Sequence, residues 1–131
     1  MPDRTVNYED LVHGFEFPPS AYELGASFVS KYLEAVDSAG DGFVPPLAIT
    51  ACAIAATTGA LSLPPDTVAI HASQELEFFK LVPIGTTIEC HTRVAQKITR
   101  GKMSIAILEL EVLDQDKERV QSGKATIAFP A

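Results

Sequence analysis

The chain has 131 residues, 47% hydrophobic and 21% charged; this is the composition of a folded globular protein, and the length predicts one domain spanning 1–131. Seventeen acids against ten bases leave a net charge of −7, which argues against broad binding to nucleic-acid phosphates and against adhesion to anionic membranes. The N-terminus carries no apolar run of the signal-peptide kind and the two cysteines do not form a disulfide framework, so a reducing cytoplasm is the expected location.

Residues 1–13 are polar and are expected on the surface. Gly14 to Phe17 alternates as a short strand that Pro18-Pro19 stops. Ser20 is a candidate helix N-cap with Glu23 as its capping-box partner. Leu24, Phe28 and Tyr32, joined by Val29, Leu33 and Val36, predict an amphipathic helix to about Val36. Asp37 to Gly42 is a turn-rich connection.

The stretch from Pro45-Pro46 to Pro64-Pro65 organises the chain, and no charged residue occurs from Gly42 to Pro65. Its alanines favour helix, and a proline in the first helical turn costs little because that N–H has no helical partner anyway. Leu47 to Leu63 is slightly short for a membrane span, which needs about 20 strongly apolar residues. A buried helix is expected, with the rest of the chain wrapped around it.

Long β segments follow. Thr67 to Phe79 alternates, with Val68, Ile70, Ala72, Leu76 and Phe78 on one face and His71, Ser73, Glu75 and Glu77 on the other. After a turn at Leu81 to Gly85, a strand runs to about Lys97, and Thr99 to Lys102 closes a hairpin. Met103 to Leu113 is apolar on both faces at its start and reads as a central strand. Arg119 to Phe129 supplies the last strand. The fold class is α+β, an antiparallel sheet curled around a central helix. The two-sided apolar strand predicts a partner subunit or a second layer over the sheet.

Three segments carry a family resemblance: Val44-Pro45-Pro46-Leu47 opening the helix, Ile70 to Phe78, and Val82-Pro83-Ile84-Gly85-Thr86-Thr87-Ile88. They resemble the MaoC-like branch of the hot-dog fold, and Ser122 to Thr126 is similar to its last strand. The resemblance implies a sheet wrapped around a long central helix, dimerisation, and hydratase or dehydratase chemistry on acyl thioesters. It implies no bound cofactor, the substrate being carried by coenzyme A or phosphopantetheine. Catalytic members carry G-D-x-N-P-x-H, whose aspartate and histidine hold the reacting water; here Gly40-Asp41 is followed by Gly42-Phe43-Val44-Pro45-Pro46, without the Asn-Pro or the histidine. Two alternatives therefore stand beside a hydratase: an inactive hot-dog subunit that binds acyl chains or pairs with an active homologue, and a thioesterase.

The candidate catalytic residues are Asp41, near the helix start, and His71 with Glu75, a pair able to orient and tune a general base. Each has a plainer reading, Asp41 as a turn residue and His71 as a structural or interfacial histidine. Pro46, Leu47, Ala48 and Ile49 are candidates for substrate binding, because free N–H groups at the helix start can bind a thioester carbonyl. Ala48, Ala51 and Ala55 would let an acyl chain run alongside. Lys97, Arg100 and Lys102 gather at one hairpin and are candidates for the carrier's phosphates. No metal or nucleotide motif is present. The expected partners are an acyl thioester and a second hot-dog chain, identical or not.

Overall fold

The computed structural model describes residues 6–7, 10–62 and 67–130. The second proline pair, Pro64-Pro65, lies outside them. The elements in chain order are β1 (Val6–Asn7), β2 (Ser20–Glu23), α1 (Ala26–Ala35), α2 (Pro46–Ala60), β3 (Leu61–Ser62), β4 (Ile70–Phe78), β5 (Thr87–Arg100), β6 (Met103–Leu113) and β7 (Arg119–Pro130). Five strands form one antiparallel sheet in the order β2-β5-β6-β7-β4, and β1 pairs in parallel with β3.

The segment expected to open α1 is a strand instead. Ser20 to Glu23 pairs with Thr87 to Cys90, and α1 starts at Ala26 behind Gly25, without a side-chain cap. The reason lies just upstream. Phe17 N–H donates to the Thr92 carbonyl and Gly14 N–H to that of Val94, so the chain already runs along β5. Pro18-Pro19 lacks the donors to continue the ladder but does not turn the chain away, and pairing resumes at Ser20. At its other end α1 closes on Asp37 at φ 53°, with Ser38 N–H on the Leu33 carbonyl and Asp37 N–H on that of Glu34, a Schellman closure.

α2 lies on one face of the sheet. Ala48, Ile49, Cys52 and Ala53 enter a core with Ile88, Cys90, Val112 and Val120. A second core lies further along the sheet, where Val6, Leu11 and Phe17 pack on Val94, Leu108 and Phe129. The N-terminal segment, expected on the surface, therefore covers part of the sheet: Val6 and Leu11 are each only 1% exposed. Val6 stands between Thr5 and Asn7, and Leu11 stands beside an exposed Val12, so no periodicity marks either as core. In β6 the burial alternates strictly, with Ala106, Leu108, Leu110 and Val112 facing the helix and Ile105, Ile107, Glu109 and Glu111 on the outer face. No helix among the described residues is long and apolar enough to cross a membrane.

Candidate functional site

The N-terminal end of α2 is built by two prolines and one glutamine. Pro45 caps the helix and Pro46 occupies its first turn, so Pro46 offers no N–H, and the Ala48 N–H is taken by the Pro45 carbonyl at 3.0 Å. One donor expected to be free is thus engaged. Gln121 of β7, 3% exposed, donates its Nε2 to the Pro46 carbonyl at 2.6 Å and accepts the Thr50 hydroxyl at 2.8 Å. Two turns on, the hydroxyls of Thr57 and Thr92 share a 2.8 Å hydrogen bond. These two buried clamps fix the rotation of α2 on the sheet, since leaving such groups unpaired costs about 1–3 kcal/mol each. Gln121 carried no signal in the sequence beyond being an amide in a strand.

The approach to the helix is pinned as well. Val44 N–H donates to the Val82 carbonyl and Ile84 N–H to that of Gly42. Gly42 sits at φ 88°, a conformation that glycine adopts without steric cost. Asp41 is exposed, and its Oδ1 accepts the Phe43 N–H at 3.1 Å. The carboxylate closes its own turn.

Around this end of the helix, large apolar side chains stand in solvent. Leu47 is 57% exposed, Leu81 53%, Phe78 48% and Phe43 40%. The register explains their convergence. Phe78 lies opposite Gln121, which holds the first turn of α2, and Phe43 bridges to Pro83 beside Leu81. Ala51 and Ala55 continue the exposed line along the helix. Of the residues expected to touch substrate, Leu47 is available, Pro46 is half-buried, and Ala48 and Ile49 are core side chains, 0% and 1% exposed. Phe43, Phe78 and Leu81 belong to the same rim and were not singled out by sequence, because their convergence is set by strand register.

His71 and Glu75 are separated. A bulge between His71 and Ser73 inserts one residue into β4, which reverses the faces before it relative to those after it. His71 then lies opposite Ile127 on the helix side, with its Nε2 2.9 Å from Gln74 Oε1. Glu75 lies opposite Lys124 on the outer face. His91 is on β5, with β6 and β7 between it and β4, and its Nε2 is 2.7 Å from Glu89. That hydrogen bond and a second from Lys117 hold the Glu89 carboxyl below its ordinary range.

The basic hairpin does not form one surface either. Lys97 lies opposite Ala106, which faces the helix side, whereas Arg100 lies opposite Met103 on the outer side. Lys102 occupies the turn with Gly101, at φ 57°. Arg100 is also ten positions along β5 from Cys90, the residue in register through Val112 with Gln121. At ~3.3 Å per residue that is roughly 30 Å from the helix start, too far to share one ligand site with it in the same protomer.

Both cysteines are free and buried. Burial, then Cys52 and Glu89, push the Cys90 thiol up to about 12, and burial raises Cys52. A raised thiol pKa disfavours nucleophilic chemistry at either position, since the thiolate is the reactive form. A hollow of about 900 Å³ lies on the outer face and includes His91, Arg93, Glu109, Glu111 and Arg119. Two ion pairs cross it, Arg93 with Glu109 and Arg119 with Glu111, and Glu16, Glu75 and Glu77 line it with Lys124. Five acids against three bases leave this solvated surface net acidic, which disfavours the phosphates of an anionic carrier.

The architecture, a five-stranded antiparallel sheet with a long helix on one face, is shared with solved structures. An R-hydratase, PhaJ1 from Pseudomonas aeruginosa, superposes with a TM-score of 0.80 at 17% identity, over 94% of this chain and 84% of that one. A MaoC-like dehydratase from Rhodospirillum rubrum gives 0.73 at 18% identity, over 94% and 95%. The HadBC complex of Mycobacterium tuberculosis, a 3R-hydroxyacyl-ACP dehydratase, gives 0.70 at 15% identity, over 89% and 96%. No family model matches the sequence, and no curated protein is close enough in sequence to count as a relative. The chain has the hot-dog fold, in the form seen in MaoC-like proteins.

Proposed function

We propose that this chain is a MaoC-like subunit that binds an acyl thioester at the N-terminal end of α2 and does not itself add or remove water. The observation that carries this reading is the exposed rim of Phe43, Leu47, Phe78 and Leu81 around the helix start. Covering four half-exposed side chains of this size contributes roughly 3–6 kcal/mol, the scale of a weakly held acyl chain whose carrier supplies the remainder. The carrier is coenzyme A or phosphopantetheine. In a reducing cytoplasm both buried thiols stay free.

Hydration requires an acid and a base within reach of one water. The fold likeness to a hydratase and two dehydratases supports the class of ligand, while the residues of this chain argue against the reaction. Asp41 is committed to the Phe43 N–H, and His71 is bonded to Gln74 on the helix side of β4. The thioesterase reading needs the same His71, with Glu75 now on the opposite face.

The test uses crotonyl-CoA and longer enoyl-CoA, following hydration by absorbance, release of free thiol, and binding by calorimetry. Saturable binding with neither reaction above background is expected, unchanged in Asp41→Asn and His71→Ala. Hydration that Asp41→Asn abolishes would overturn this reading in favour of a hydratase. Thiol release that His71→Ala abolishes would overturn it in favour of a thioesterase.

A further inference from the structure

In an antiparallel sheet, residues directly opposite one another share a face, so rows of side chains can be followed across the strands. On the outer face one row across β5, β6, β7 and β4 is wholly apolar: Ile98, Ile105, Ala128, Ile70. Ile70 is 53% exposed, the other three are half-buried, and none of the four belongs to either buried core. The neighbouring row is mixed, with Gln96, Ile107, Thr126 and Ser73, and the row beyond it is charged, with Arg93, Glu109, Lys124 and Glu75. In that charged row the sign alternates strand by strand.

An alternating row of four is its own complement when reversed. In the aligned class of sheet packing, a two-fold axis running along the strands midway between β6 and β7 reverses the strand order and keeps each row level with itself. Arg93 then meets Glu75 of the second copy and Glu109 meets its Lys124, while Ile98 meets Ile70 and Ile105 meets Ala128. In the next row His91 meets Glu77. Glu16, bridged to Arg93, lies beyond the four-strand overlap. The other aligned placements lose this match. An axis over a strand sets like charges together, and an axis between two outer strands leaves half of the apolar row uncovered. An axis across the strands carries the charged row onto itself, like on like, or onto a different row. The area also suits a second copy: four strands over the 11 residues of β6 give a footprint of roughly 700 Å², close to the ~800 Å² that each partner buries in a stable complex.

We infer that the outer face of the sheet is a self-association surface, on which a second copy of this chain packs face to face, apolar row on apolar row and each charge against its opposite. The contact uses the face of the sheet and leaves the open edge of β4 free. It is independent of the acyl-binding reading, because the rim around Leu47 lies on the helix side, so loss of acyl-thioester binding would leave it standing.

Sedimentation of the full chain over a range of concentrations tests the apolar row. Ile105→Glu should keep the fold, judged by circular dichroism, and weaken self-association by at least about tenfold, since it sets a carboxylate against Ala128 of the second copy. A second variant tests the charges: Arg93→Glu, Glu109→Lys, Lys124→Glu and Glu75→Lys together invert the row and preserve its alternation within the chain. The inverted row is again its own complement, but it meets the wild-type row like against like. In an isotope-labelled mixture of the two, native mass spectrometry should show the mixed complex roughly tenfold below its random share, for the assembly step that Ile105→Glu removes. The deficit should shrink as salt is raised, because these pairs are exposed. Self-association unchanged by Ile105→Glu, or a wild-type chain that stays monomeric, would overturn the inference. Random mixing of wild-type and inverted chains at that step would overturn the charge match on which the choice of a second copy rests.

Discussion

Cys90 shows how one buried side chain ties stability to pH. Burial raises its folded thiol to about 12 from an ordinary value of 9.0. Between those values the unfolded chain loses a proton that the folded chain keeps, so the unfolded state binds fewer protons and stability falls as pH rises. The loss begins near pH 9 and approaches about 1.4 kcal/mol per pH unit. Urea midpoints followed from neutral to alkaline pH therefore converge for the wild type and Cys90→Ala. A gap between the two that stays constant would remove the thiol from this account. On the acid side, Lys80 donates to Asp114, and with the N–H groups of Glu118 and Asp116 it holds that carboxyl below its usual range. Its contribution is present at neutral pH and lost as pH falls through that lowered value.

The pairing of β4 with β7 depends on a glycine that the sequence did not mark. A Cβ at position 123 would lie 2.4 Å from the Glu75 carbonyl oxygen, and since that neighbour is backbone, β4 would have to move. Gly123→Ala should destabilise the protein by about 1–3 kcal/mol, the usual range for overpacking. It should also loosen exchange protection in β4 before β6; equal protection in both strands would show that the close approach does not matter. The contrast with β6 explains what was legible. Its apolar residues on both faces at the start identified a central strand, and four charge-free turns of alanine-rich sequence identified α2. The bulge in β4 left no trace in composition, yet it moved His71 and Glu75 to opposite faces. The capping-box pattern at Ser20 was real as sequence, but the backbone pairing offered by β5 overrode a local cap worth about 1 kcal/mol. The rim of Phe43, Leu47, Phe78 and Leu81 comes from three segments joined only by register, which is why sequence delivered Leu47 alone.

At the level of the whole molecule, the hot-dog architecture sets an apolar helix face and an acidic strand edge side by side, both uncovered in a single chain. The exposed line Leu47, Ala51, Ala55 on α2 and the Leu76, Phe78 row on β4 border the same end of the fold. The account assigns binding to that rim and withholds catalysis from it. Calorimetric titration of the wild type and Leu47→Asp with a long-chain acyl-CoA tests this most directly. Leu47 is 57% exposed, so the variant should fold with an unchanged melting temperature. Its affinity for the acyl thioester should fall by at least about tenfold, since burying a carboxylate against an acyl chain costs far more than one apolar contact contributes. Undiminished binding by a folded Leu47→Asp protein would contradict the account.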